Sequence, residues 1–88
     1  MVDAFRALII DDDPDLLRLV RRTLEFTAGW EVATAGSGAA GIELARSATL
    51  DVILVDVMMP EMDGYEVCRR LKADPATATV PIDRKSVV

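Results

Sequence analysis

Two short runs of unbroken apolar residues, each ending in aspartate, limit most strongly what this chain can fold into. Ala7-Leu8-Ile9-Ile10 passes directly into Asp11-Asp12-Asp13, and Val52-Ile53-Leu54-Val55 passes into Asp56. A strand with one wet face alternates apolar and polar residues. A strand that is apolar throughout is covered on both faces, as in a parallel sheet held between helices. Two such strands side by side would deliver carboxylates to the same end of the sheet.

The rest of the chain supplies the covering helices. Residues 5–10 read as the first strand. Asp13-Pro14-Asp15 then starts a helix, with Asp13 as N-cap and Pro14 at the first helical position. Leu16, Leu17, Val20 and Leu24 fall on one face of it, Arg18, Arg21, Arg22 and Glu25 mostly off it, and Gly29 stops it. Glu31-Val32-Ala33-Thr34-Ala35 is a second, weaker strand. Ser37 caps a helix over about residues 38–47, whose expected inner face is Ala40, Leu44 and Ile42. The third strand is expected over residues 51–55. Asp63-Gly64 leads into a third helix reaching about Ala73, with Tyr65, Val67, Cys68 and Leu71 as its apolar contacts, and Asp74-Pro75 ends it. Strictly alternating strands and helices predict an α/β sandwich with right-handed crossovers.

Composition narrows the function. At 88 residues there is room for one small domain. Ten Lys+Arg against 15 Asp+Glu give a net charge of −5, which argues against nucleic-acid binding by this segment. No run of 18 apolar residues implies a membrane span. The amino-terminal residues Met1-Val2-Asp3-Ala4-Phe5-Arg6 lack a signal-peptide layout. The lone Cys68, read as a small core residue, suits a reducing cytoplasm. With no histidine in the chain, His-based catalysis and His metal ligation are excluded.

The acidic strand ends carry the chemistry. Mg²⁺ takes oxygen ligands, uses one or two carboxylates and keeps several waters. Asp12 and Asp56 form the expected pair, with Asp11 acting through water and a backbone carbonyl in the loop after Asp56 completing the protein's share. Each acidic piece alone also has a plain reading, as a solvated loop, a helix cap or a strand-terminating turn; the combination favours a metal site. A calcium loop over Asp11, Asp13 and Asp15 fails, because Leu16 stands where glycine is required and Arg22 where the bidentate glutamate belongs.

Together, Leu8-Ile9-Ile10-Asp11-Asp12-Asp13-Pro14, the segment from Asp51 through Asp56-Val57-Met58-Met59-Pro60-Glu61-Met62-Asp63-Gly64, Gly36-Ser37-Gly38-Ala39-Ala40 and Glu66-Val67-Cys68-Arg69-Arg70-Leu71-Lys72 resemble the receiver domain of two-component response regulators. The resemblance implies a flavodoxin-like three-layer sandwich on a parallel sheet. It implies that Asp56 is a phosphoacceptor served by a sensor histidine kinase or phosphotransfer protein, a signalling domain rather than an enzyme. Asp11, Asp12, Asp56 and the backbone carbonyl of Met58 would then hold Mg²⁺. A phosphohydrolase with an aspartate nucleophile is the weaker reading, since Met58 stands where that class carries a second aspartate.

The resemblance runs over residues 5 to about 82, and residues 1–82 are read as a shortened receiver domain. The segment Asp83-Arg84-Lys85-Ser86-Val87-Val88 is read as a non-family tail. Three strands in order 2-1-3 plus a partial fourth are expected, without the family's hydroxyl and lysine positions. Neither role is transferred to Lys85 or Ser86. This puts phosphorylation-dependent switching in question, and the alternative is an interaction module that works without phosphorylation. The third strand would then be an open apolar edge, and a homodimer or domain-exchanged oligomer through that edge is expected.

Overall fold

The computed structural model describes residues 4–85. Strands β1 (Arg6–Ile10), β2 (Glu31–Ala35), β3 (Val52–Asp56) and β4 (Ile82–Lys85) alternate with helices α1 (Pro14–Ala28), α2 (Gly38–Ser47) and α3 (Gly64–Ala73). All strand pairs are parallel, in the order β2-β1-β3-β4. Central β1 has neighbours on both edges and helices over both faces, so Leu8, Ile9 and Ile10 are fully buried. That position accounts for its unbroken apolar run.

Two cores flank the sheet. On one side Ile9, Leu17 and Val32 pack with Val20, Leu24, Trp30 and Leu54 beneath α1. On the other, Leu8, Ile10, Ile53, Val55, Val67 and Leu71 form the larger core beneath α2 and α3. The helix ends follow their sequence signals. Asp13 accepts from the backbone N–H of Asp15 and Leu16, Ser37 from Ala40, and Asp63 from Glu66. Gly29 closes α1 at φ 69°, where a side chain would be strained. The α3 exit is held by Thr77, whose buried hydroxyl donates to the Leu71 carbonyl at 2.6 Å. Arg46 of α2 pairs with Asp74 at 2.9 Å across the same junction.

The structure corrects four expectations. Strand β3 begins at Val52, because Asp51 serves instead as a clamp at the opposite end of the sheet. Its N–H donates to the Arg6 carbonyl at 2.8 Å and its carboxylate accepts from the Arg6 N–H at 2.7 Å. The inner face of α2 is Gly38, Gly41 and Ala45 with Ile42, while Ala40 and Leu44 are exposed. A Cβ on Gly41 would run into the Ile10 side chain, so the helix sits closer to β1 than a hydropathy pattern can register. Tyr65 points outward and is 57% exposed.

The fourth correction concerns the edge of the sheet. Residues 83–85 continue a strand from Ile82, and β4 pairs with β3 from Ile53↔Ile82 to Asp56↔Lys85. Strand β3 is therefore interior, and the expected association through its open edge loses its basis. The polar β4 sequence is tolerable because ladder bonds are made by the backbone, and charged residues suit an edge strand. Ile82 packs on the larger core, and the Arg84 guanidinium lies 5.0 Å from the centre of the Tyr65 ring. Ser86 and the rest of the expected tail lie outside the described residues.

Candidate metal and phosphoacceptor site

Ladder register builds the site. Ile10 pairs with Val55 in the β1–β3 ladder, so the next residue on each strand, Asp11 and Asp56, arrives at the same height of the sheet. Asp12 follows before α1 begins. One carboxylate oxygen from each of Asp11, Asp12 and Asp56 lies within 4.8 Å of the others. Asp11 is buried, Asp56 half-buried and Asp12 exposed, so the cluster opens to solvent on the Asp12 side. Every acid assigned to the site from sequence is thus brought together.

Hydrogen bonds fix the members. The Asp11 backbone N–H donates to the Ala35 carbonyl at 3.1 Å, tying the end of β1 to the end of β2. Its carboxylate accepts from the Asp13 N–H at 3.0 Å. Oδ1 of Asp56 accepts from the Met58 N–H at 3.1 Å, which orients the Asp56 carboxylate and keeps the Met58 backbone at its side. The Met58 side chain is 70% exposed, while Met59 turns inward to the larger core. Asp13 and Asp63 are spent on helix caps and do not join the cluster. Lys85 is the ladder partner of Asp56 in β4, a placement that the sequence did not reveal.

The donor set suits a small hard cation. Oxygens around one Mg²⁺ are at most about 4.2 Å apart, twice a bond of roughly 2.1 Å. Three carboxylate oxygens already within 4.8 Å need less than an ångström of closure. In the absence of a cation, three carboxylates at this spacing repel one another.

A residue overlooked in the sequence shapes the same corner. Gly64, the first residue of α3, sits against the backbone that carries Asp56. A Cβ built on it would lie 2.6 Å from the Asp56 carbonyl oxygen and 2.6 Å from Cα of Val57. Its N–H donates to the Val57 carbonyl at 3.3 Å. The sequence signal was the Asp63-Gly64 pair, whose glycine reads from sequence as part of a helix start and of the motif that carries the resemblance, with no role at the acidic cluster.

Comparison with known proteins agrees with this geometry. Residues 7–82 match the family profile described as the response regulator receiver domain. The chain is 46% identical over 77 residues to the DNA-binding dual master transcriptional regulator RpaA of Synechocystis, covering 88% of this chain and 32% of that protein. It therefore spans about a third of the length of that relative. Among solved structures, Vibrio cholerae chemotaxis protein CheY4 superposes with a TM-score of 0.88 at 31% identity, over 97% of this chain and 72% of that one. The receiver domain of a Pseudomonas aeruginosa sensor histidine kinase, described with a magnesium ion coordinated in its active site cleft, gives 0.81 at 26% identity, covering 93% of this chain and 66% of that one.

Proposed function

Because this chain belongs to the receiver domains of two-component response regulators, which serve phosphorelay signalling, we propose that Asp56 accepts the phosphoryl group while Asp11, Asp12, Asp56 and the Met58 carbonyl hold Mg²⁺. The observation that carries this reading is the convergence of three carboxylates from two strand ends. The magnesium-bearing cleft described for the Pseudomonas receiver adds support for the choice of ion.

Bound Mg²⁺ supplies the positive charge that lets a carboxylate approach an anionic phosphoryl group. The protein's part is positioning. Asp11 and Asp12 would hold the ion together with Asp56, and the Met58 N–H keeps the Asp56 carboxylate aligned. A carboxylate oxygen of Asp56 attacks phosphorus of a phosphohistidine on a sensor histidine kinase or phosphotransfer protein. The O–P bond forms as the donor's N–P bond breaks, and the leaving imidazole nitrogen keeps the electron pair and takes a proton from water. The acyl phosphate leaves a charge of roughly −2 where the carboxylate carried −1. A cytoplasmic location follows from this partnership; no helix among the described residues is long and apolar enough to cross a membrane.

Incubation with Mg²⁺ and a small phosphodonor such as acetyl phosphate tests the reading. The expected result is a mass gain of one phosphoryl group that Asp56→Asn or EDTA abolishes. Absence of labelling in the wild-type chain, or persistence of the label in Asp56→Asn, overturns it.

A second reading, association without phosphorylation, is favoured by the outer face of α1. Phe26 is 93% exposed and Leu19 63%, seven residues apart and so on one face of the helix. An apolar pair on that face supports a homodimer through α1 in place of the β3 edge. Light scattering tests it: a monomer at every concentration up to hundreds of micromolar contradicts it.

A further inference from the structure

We infer that Gly64 is a positioning residue for the acidic cluster, setting the height of Asp56 relative to Asp11 and Asp12 through direct backbone contact. The inference rests on the reading of that cluster as a divalent-cation site. Glycine is needed at this position for space. It falls outside the left-handed backbone positions of the described residues, which are Gly29 and Glu61. The space is filled by main chain: a Cβ would meet the Asp56 carbonyl oxygen and Val57 Cα at 2.6 Å, and the Asp56 carbonyl carbon at 3.0 Å. Main-chain atoms have no free rotamer as a side-chain tip does, so they move only by displacing the chain and the side chains it carries. Two elements could yield, α3 or the segment of residues 56–57.

Helix α3 is the firmer of the two. Val67 and Leu71 are fully buried in the larger core, Asp63 caps its first turn, and Thr77 and the Arg46–Asp74 pair hold its far end. The 56–57 segment opens a seven-residue loop in which Glu61 holds φ 66°, so the strand end gives way first. Movement there shifts one of three ligands whose oxygens now lie within 4.8 Å, while Asp11 and Asp12 stay with β1. Displacing one ligand by about an ångström typically costs tenfold or more in affinity.

The experiment compares divalent-ion affinity, by Mn²⁺ electron paramagnetic resonance titration, in the wild type, Gly64→Ala and Gly38→Ala. Gly38 is the control, because the nearest atoms a Cβ there would meet belong to the side chains of Val67 and Met62 rather than to the backbone that carries Asp56. The expected result is at least a tenfold loss of affinity in Gly64→Ala and less than a threefold change in Gly38→Ala, both measured at equal folded fraction. Equal affinity in Gly64→Ala and wild type, or equal losses in both variants, overturns the inference. A wild type that binds no Mn²⁺ instead refutes the metal-site reading beneath it. Should Gly64→Ala not fold, Mg²⁺ titration of the wild type followed by amide NMR decides. The Gly64 and Val57 amides must then shift together in proportion to bound ion; an unmoved Gly64 amide overturns the inference.

Discussion

Replacing Asp56 by asparagine should stabilise the protein when no divalent ion is present and remove most of its stabilisation by Mg²⁺. In the folded chain one Asp56 oxygen lies within 4.8 Å of an oxygen of Asp11 and one of Asp12. In the unfolded chain Asp56 is far from both, so its repulsions are created by folding. At 4.8 Å, each pair costs about 0.9 kcal/mol in a fully water-like medium and several times that where solvent is partly excluded. Asp12 is exposed and stays near the lower figure, and salt lowers it further. Relief of both pairs at low ionic strength should therefore yield about 2 kcal/mol or more. Asparagine keeps an Oδ1 acceptor for the Met58 N–H, so that bond is not lost in the exchange. With a urea slope near 1 kcal/mol/M, the midpoint in EDTA should rise by about 2 M or more. In the wild type, Mg²⁺ at ten times its Kd should add about 1.4 kcal/mol, and in Asp56→Asn little or nothing at the same concentration. A variant less stable than wild type in EDTA, or one stabilised equally by Mg²⁺, would refute the reasoning.

Other perturbations have equally definite outcomes. Thr77→Val removes the 2.6 Å bond to the Leu71 carbonyl at a fully buried site and should cost about 1–3 kcal/mol in urea unfolding, leaving Mg²⁺ affinity unchanged. Asp13→Ala strips the α1 cap and should cost about 1 kcal/mol without affecting phosphoryl transfer, which would separate Asp13 from its acidic neighbours. Burial pushes the Cys68 thiol upward, and nearby Arg84 and Lys72 pull it partly back. Cys68 alkylation at pH 8 should thus be slower than for the unfolded chain, and slower still in Arg84→Gln. Because the folded thiol ionises at higher pH than the unfolded one, its contribution to stability is complete below the unfolded value and is lost as pH rises toward the folded one. Urea midpoints between pH 7 and 10, compared with Cys68→Ser, check that sign.

Much of the architecture was legible because local signals and tertiary demands agreed. Pro14 behind Asp13, Ser37 before Gly38, and Asp63 before Gly64 mark helix starts that the caps bear out. The apolar run of β1 disclosed its double covering, whereas β3 is fully covered only on the face of Ile53 and Val55 and half-buried at Val52 and Leu54; the aspartate ends of both strands disclosed the acidic corner. Strand β4 was not legible, since Asp83, Arg84 and Lys85 resemble a solvated tail. Only pairing with β3, and the stacking of Arg84 on Tyr65, makes them a strand. The α2 face was misjudged for a related reason. Hydropathy ranks Leu44 above Gly41, yet the close approach to Ile10 leaves room for no side chain at all. Gly64 belongs to the same blind spot, because a missing Cβ matters only once the opposing backbone is in view.

The most direct test is whether one ion engages all three acids at once. Titrating ¹⁵N-labelled protein with Mn²⁺ at substoichiometric levels should broaden the amides of Asp11, Asp12, Val57 and Met58 together, with a single dissociation constant that Mg²⁺ competes away. Broadening confined to the β1 end or to the β3 end, or a response that Mg²⁺ leaves untouched, would contradict a shared site.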